Sequence, residues 1–150
     1  MAAGLYIHVP FCRRKCPYCN FYSIAAEPEL LERYTQAVCR NLRHYACAEP
    51  VDTVYFGGGT PTTLSAEQLS KVIGTVNGNF NMSACREFTV EAGRPDTITA
   101  EKLKALKENN VDRISINPQT LNDDVLREIG RKHTVQQFFD AFALSRKCGF

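Results

Sequence analysis

The chain has 150 residues, 44% of them apolar and 23% charged, so it can bury the core of about one domain and is not a disordered segment. Its net charge is +2 and no stretch is strongly basic, which leaves nucleic acid without an electrostatic footprint. The opening MAAGLYIHVP lacks a basic segment followed by a long apolar one, and no window approaches the roughly 18 apolar residues of a spanning helix; no membrane span and a cytoplasmic location are expected.

Gly4 to Val9 is a short run rich in β-formers, read as a strand. It delivers YIHVPFCRRKCPYCNF, in which Cys12, Cys16 and Cys19 stand in a C-x3-C-x2-C spacing with Pro10 and Pro17 holding the loop open. Seven cysteines in a cytosolic chain, three of them on one loop, read as metal binding rather than disulfides. Structural zinc usually takes four protein ligands, and no second Cys or Cys/His pair follows at finger-like spacing. An iron–sulfur cube held by three cysteines keeps one iron free for a substrate or cofactor. A zinc site completed from elsewhere and adventitious cysteines are the competing readings. Cys39, Cys47, Cys85 and Cys148 share no ligand spacing and read as buried or incidental thiols.

From Glu27 the pattern becomes helical, with Leu31, Tyr34, Val38, Leu42 and Tyr45 at three- and four-residue steps. Val51 to Phe56 is a second strand running into Gly57-Gly58-Gly59-Thr60-Pro61. Ser65 and Gln68 form a capping box for a helix through Leu69, Val72, Ile73 and Val76, with Gly78 placed to stop it. Phe88 to Glu91 is a third strand, Thr99 caps a helix carrying Leu103 and Leu106, and Arg113 to Asn117 is a fourth strand. Val125, Leu126 and Ile129 mark a short helix ended by Gly130. Thr134 and Gln137 box the start of a last helix with Val135, Phe138 and Phe142, and Gly149 is its C′ residue.

Strands alternating with helices predict parallel βαβ units, in an open doubly wound sheet or a (β/α) barrel. In either, functional groups gather at the strand C-termini, where this chain puts the cysteine loop, the glycine run, Glu91 and Asn117-Pro118-Gln119. The chain stops at Phe150, where a fifth strand would begin, so an unpaired apolar edge is expected.

Three missing Cβ atoms at Gly57, Gly58 and Gly59 let backbone amides and carbonyls approach a ligand. The continuation Thr60-Pro61, instead of Gly-Lys-Ser/Thr, argues against a phosphate loop, and a tight strand-to-loop turn is the plain alternative. Glu91 ends a strand and is placed to accept hydrogen bonds from a ribose or an ammonium group, or else is a solvated strand-end acid. Arg113 starts a strand; pairing with an acid at the sheet base and reaching a ligand carboxylate are both open. Gln119 is a candidate ribose partner. Tyr6 and His8 share one strand face, and His8 is either a substrate-side donor or half-buried. His44 reads as a cation on a helix C-terminus and His133 as structural.

YIHVPFCRRKCPYCNF resembles the signature of the radical S-adenosylmethionine (SAM) superfamily. Taken with YFGGGTPTTL, the Glu91 strand, RISINPQTLND and IGRKHT in that order, it resembles the oxygen-independent coproporphyrinogen III oxidase family and its haem-chaperone relatives. VEAGRPDTIT and ISINPQTLN look most like the coproporphyrinogen dehydrogenase HemZ branch. The resemblance implies a partial radical-SAM (β/α) barrel of parallel strands, cut after about four βα units, with residues 1–150 as its N-terminal portion. It implies a [4Fe–4S] cluster on Cys12, Cys16 and Cys19, with SAM chelating the fourth iron. Tyr6 and Gly57 to Thr60 then contact SAM, and Glu91, Arg113 and Gln119 line its pocket. The implied activity is decarboxylation of porphyrinogen propionates to vinyls by a 5′-deoxyadenosyl radical, with a flavodoxin or ferredoxin as electron donor; haem delivery is the alternative. Phe21 stands where the best-studied oxidases have a further cysteine, and Asn117-Pro118-Gln119 replaces Gly-Val-Gln. Both changes bear on the substrate rather than on the cluster.

Overall fold

The structure, a computed structural model, describes residues 3–150. In chain order its elements are β1 (Ala3–Val9), the two-residue strands β2 (Phe11–Cys12) and β3 (Ile24–Ala25), α1 (Pro28–His44), β4 (Val51–Gly58), α2 (Ala66–Asn79), β5 (Glu87–Glu91), α3 (Ala100–Glu108), β6 (Arg113–Ser115), α4 (Asp123–Glu128) and α5 (Val135–Lys147). The main sheet is parallel and ordered β1-β4-β5-β6. Each crossover adds its strand on the same side of the last, without the reversal that defines a doubly wound sheet. The sheet is therefore an arc of a barrel wall.

Strand alternation divides the sheet into two faces. Ile7, Val9, Val54, Phe56, Phe88 and Val90 point to the helices and form the core with Leu42, Leu69, Val72, Ile73, Val76 and Leu106. Phe56 stacks on Phe88 with ring centroids 5.7 Å apart. The opposite face carries polar side chains in register: Tyr6 beside Tyr55, Tyr55 beside Thr89 and Thr89 beside Arg113, then Glu91 beside Ser115. A parallel strand with one apolar and one polar face fits a wall whose inner side lines a site.

The helices start where the caps indicate. Ser65 and Thr134 each complete a reciprocal capping box, and the Thr99 hydroxyl accepts from the Lys102 amide. Gly130 and Gly149 take φ of +74° and +89° just past helix ends, where a side chain would be strained. Three expectations are corrected. Gly78 does not stop its helix, because α2 runs on to Asn79 and the Asn79 amide group donates back to the Thr75 carbonyl at 2.8 Å. In α1 the buried stripe is Leu31, Thr35, Cys39 and Leu42, with Tyr45 exposed; Thr35 is admitted because its hydroxyl donates to the Leu31 carbonyl at 2.8 Å. The fourth strand ends at Ser115, where the Ser115 hydroxyl turns to Asn117 at 3.2 Å and Pro118 offers no amide to a neighbour.

Strand β6 is the outer strand of the described sheet, and Ile114 on it and Ile116 just past it line, with Phe138, Phe142 and Phe150, a shallow cavity of about 460 Å³. Phe142, on α5, is exposed there. Among the described residues no helix is long and apolar enough to cross a membrane.

At the sheet's other end Asp52 takes two 2.6 Å hydrogen bonds from Arg86, one from Nε and one from Nη2. The guanidinium holds the Asp52 carboxyl below its ordinary value. A carboxylate whose pKa is lower folded than unfolded stabilises the fold above the unfolded value of about 4 and loses that contribution as pH falls through the folded one. Asp52→Asn is therefore expected to lower the thermal midpoint at pH 7, with the difference from wild type closing as pH falls below about 4. Thermal melts at several pH values check this; a difference constant across the series contradicts it.

Candidate active site

The cysteine loop is held at its two feet. The Ile24 amide donates to the Pro10 carbonyl at 2.8 Å and the Ala26 amide to the Cys12 carbonyl at 3.2 Å, pairing β2 with β3 and pinching off the intervening residues. Within the loop the Cys19 amide donates to the Cys16 carbonyl at 3.0 Å. The end of β4 presses against the first foot: the Gly59 amide donates to the Val9 carbonyl at 2.9 Å. A Cβ on Gly59 would lie 2.5 Å from the Phe11 carbonyl oxygen and 2.9 Å from the Phe11 nitrogen. Gly58 has φ +109°, and a Cβ there would meet the His8 ring at 2.7 Å. Thr60 then places its hydroxyl 3.5 Å from Cys12 Sγ.

These contacts bring residues distant in sequence around one cavity of about 450 Å³. Cys12, Cys16, Cys19, Tyr6, Gly58, Gly59, Thr60, Glu91 and Gln119 all line it. Gln119 does so from a left-handed backbone, φ +66°. Two candidates are not brought there. Gly57 sits one residue back, packed against the Tyr6 and Tyr55 rings. Arg113 lies at the start of β6 and so at the opposite end of the sheet, where its Nη1 donates to Glu87 Oε1 at 3.0 Å and Thr89 Oγ1 at 3.3 Å. Of its two readings the structure takes the acid at the base.

Several lining residues escaped the sequence reading: Lys15, Tyr18, Tyr55, Arg94 and Arg131. Tyr55 was accessible through alternation, since it stands beside Tyr6 on the polar face. Its hydroxyl donates to Glu91 Oε1 at 2.7 Å, fixing the carboxylate. Burial first, and then that bond to Glu91, push Tyr55 up to about 12, so it stays a hydroxyl at neutral pH. Burial, then the charge of Glu91, also raise Tyr6. Arg131 donates through Nε to the Tyr18 hydroxyl at 2.8 Å and through Nη1 to the Gly93 carbonyl at 3.3 Å. His133 is buried with Nε2 3.2 Å from the Pro118 carbonyl, and burial lowers its pKa, consistent with a neutral structural ring that donates there.

The donor set fits a cluster better than a single ion. Among the described residues no three Cys, His, Asp or Glu side chains are gathered round one point as zinc would need. Cys12, Cys16 and Cys19 all line one cavity, and three thiolates with no fourth protein ligand are the donor set of a cube that keeps one iron open. The Ser23 hydroxyl, buried without a partner, lines the same cavity and leaves a polar atom for a ligand to satisfy.

The family model of the radical SAM superfamily matches residues 6–150. The chain belongs to the radical SAM superfamily. Its cofactors are accordingly a [4Fe–4S] cluster and S-adenosylmethionine. Among curated proteins it is 41% identical to the oxygen-independent coproporphyrinogen-III oxidase-like protein HemZ of Bacillus subtilis, over 97% of this chain and 31% of that protein. It is 40% identical to the haem chaperone HemW of the same organism, over 97% of this chain and 39% of that one. The solved structure of coproporphyrinogen III oxidase (HemN) from Escherichia coli, a radical SAM enzyme, superposes with a TM-score of 0.89 at 29% identity, covering 98% of this chain and 35% of that one. The chain thus spans between 31% and 39% of the length of these relatives. The partial radical SAM fold inferred from the sequence is the one observed.

Gly59 gives this geometry a direct test. Gly59→Ala drives a Cβ into the Phe11 backbone beside Cys12, whereas a Cβ at Gly78 meets nothing within 4 Å. Gly59→Ala is expected to cost about 1–3 kcal/mol of stability and most of the iron bound on anaerobic reconstitution, and Gly78→Ala to be neutral or stabilising by up to about 1 kcal/mol with iron unchanged. Denaturant midpoints and iron per chain decide; full loading of Gly59→Ala contradicts the close approach.

Proposed function

We propose that Cys12, Cys16 and Cys19 each bind one iron of the [4Fe–4S] cluster, and that residues 1–150 are the N-terminal portion of a cytoplasmic radical SAM barrel domain acting on a porphyrinogen-type substrate. The observation that carries this reading is that three cysteines, a glycine strand end and a fixed carboxylate all line one cavity. Its volume, about 450 Å³, falls in the range of small-molecule sites. Gly58, Gly59 and Thr60 form the side of the cavity for the amino-acid end of SAM, with Gly57 one residue behind them. Glu91, held by Tyr55, and Gln119 offer acceptors for a ribose or ammonium group. Tyr6 presents an exposed ring at the rim. Arg113, spent on Glu87, is left out of this set.

When bound, the cofactor pair supplies a 5′-deoxyadenosyl radical that abstracts hydrogen. What the chain contributes is placement. The pinched loop fixes the sulfurs, the Tyr55 bond fixes Glu91, and the cationic Lys15, Arg94 and Arg131 offset the negative charge of thiolates and substrate carboxylates. Transfer of a hydrogen atom from a propionate side chain to that radical, followed by loss of CO2 and of one electron to an external one-electron acceptor, would leave a vinyl group. An external electron carrier of flavodoxin or ferredoxin type reduces the centre.

Similarity to HemW, within one percentage point of that to HemZ, favours haem delivery as a second reading. Anaerobic incubation of the full-length protein with SAM, reductant and coproporphyrinogen III separates the two. Vinyl product with 5′-deoxyadenosine is expected, and stable haem binding without decarboxylation supports the chaperone. Cys16→Ala is expected to abolish SAM cleavage in either case; retained 5′-deoxyadenosine formation overturns the cluster assignment.

A further inference from the structure

Of the three cations that line the cavity, Arg94 is the one that donates a hydrogen bond to a cysteine sulfur. It is 5% exposed, in the turn after Glu91, and Nη2 donates both to the Arg14 carbonyl and to Cys16 Sγ, the latter at 3.1 Å. A guanidinium taken out of water is costly unless it meets an anion. Among the described residues no carboxylate forms an ion pair with Arg94; Asp96, two residues on, is engaged by the exposed Arg13 at 3.4 Å. The atom that meets the guanidinium is a cysteine sulfur.

Two of the three sulfurs therefore differ in their surroundings. Cys12 Sγ has the neutral Thr60 hydroxyl at 3.5 Å, and Cys16 Sγ has a cation at 3.1 Å. Once Cys16 ligates iron its sulfur carries negative charge and the contact becomes a charge-assisted hydrogen bond. Reduction adds further negative charge to the centre, which a buried cation on a ligand sulfur stabilises; hydrogen bonds to sulfur and local charge are what set the potential of such centres.

Building on the cluster reading above, we propose that Arg94 is a positioning residue for the iron–sulfur centre. It ties the turn after β5 to the cysteine loop through Arg14, and through Cys16 it raises the reduction potential of the centre so that a protein electron donor can fill it. Arg13 ties the same two segments, through the Asp96 carbonyl at 3.1 Å and its carboxylate, without touching a sulfur. Arg13 thus supplies the control for a purely structural role.

The experiment is a redox titration of the anaerobically reconstituted full-length protein, followed by electron paramagnetic resonance, with iron and sulfide measured on every sample. Arg94→Gln keeps a donor and loses the charge. Its midpoint is expected to fall by about 59 mV or more, a tenfold or larger loss in the equilibrium for one-electron reduction. Arg13→Ala is expected to titrate with wild type. Wild-type protein carrying arginine labelled with 15N in the guanidinium removes dependence on how well a variant loads: pulsed spectra of the reduced centre are expected to show 15N coupling. An unchanged midpoint in loaded Arg94→Gln, an equal fall in Arg13→Ala, or absent 15N coupling overturns the role of Arg94. Wild type that binds no iron instead overturns the cluster reading on which it stands.

Discussion

The site rests on one close approach, that of the end of β4 to the foot of the cysteine loop. The Gly59 amide reaches the Val9 carbonyl at 2.9 Å only because no Cβ stands between β4 and Phe11. That single contact sets where Cys12 begins, brings Thr60 against its sulfur and aligns the loop with the mouth of the sheet. Parallel strands in sequential order then deliver Glu91 and Gln119 to the same mouth, since every strand ends on the same side. The chemistry-bearing groups are thus local at the loop and topological everywhere else.

Around that contact, bonds between the loops after successive strands form a second layer. The Thr62 and Thr97 hydroxyls meet at 2.6 Å in the interior, and Lys102 Nζ donates to the Thr62 carbonyl at 2.6 Å and the Thr97 carbonyl at 3.2 Å. Burial lowers the Lys102 pKa, so these carbonyls are its compensation for lost water. With Arg94 and Arg131 they join the turns after β4 and β5 to the cysteine loop. A loop of eleven residues between β2 and β3 carries little regular structure of its own, and such braces hold it in one shape.

Much of this was legible in the sequence, and the reasons are local. Capping boxes at Ser65 and Thr134 are short-range patterns with a fixed spacing, so both helix starts were readable. The cysteine triplet, the glycine run and Glu91 were legible because they stand at strand ends. What could not be read depends on distance in sequence. The contacts Arg94 to Cys16 and Arg131 to Tyr18 span 78 and 113 positions, and neither arginine sits in a pattern that announces it. Arg113 was readable both ways, its place at a strand start pointing to the base and the family resemblance to the SAM pocket, and it serves the base. Gly78 misled because a glycine inside a helix costs about 1 kcal/mol, which the apolar face of α2 outweighs.

The central claim is that the three loop cysteines hold an iron–sulfur cube with one iron left for SAM. Mössbauer spectroscopy of the 57Fe-reconstituted full-length protein, recorded before and after SAM is added, tests it most directly. The account predicts that one iron of the four changes its isomer shift on binding while three keep tetrahedral sulfur character. Four irons that do not respond to SAM, or a folded protein that takes up zinc in place of iron, would contradict it.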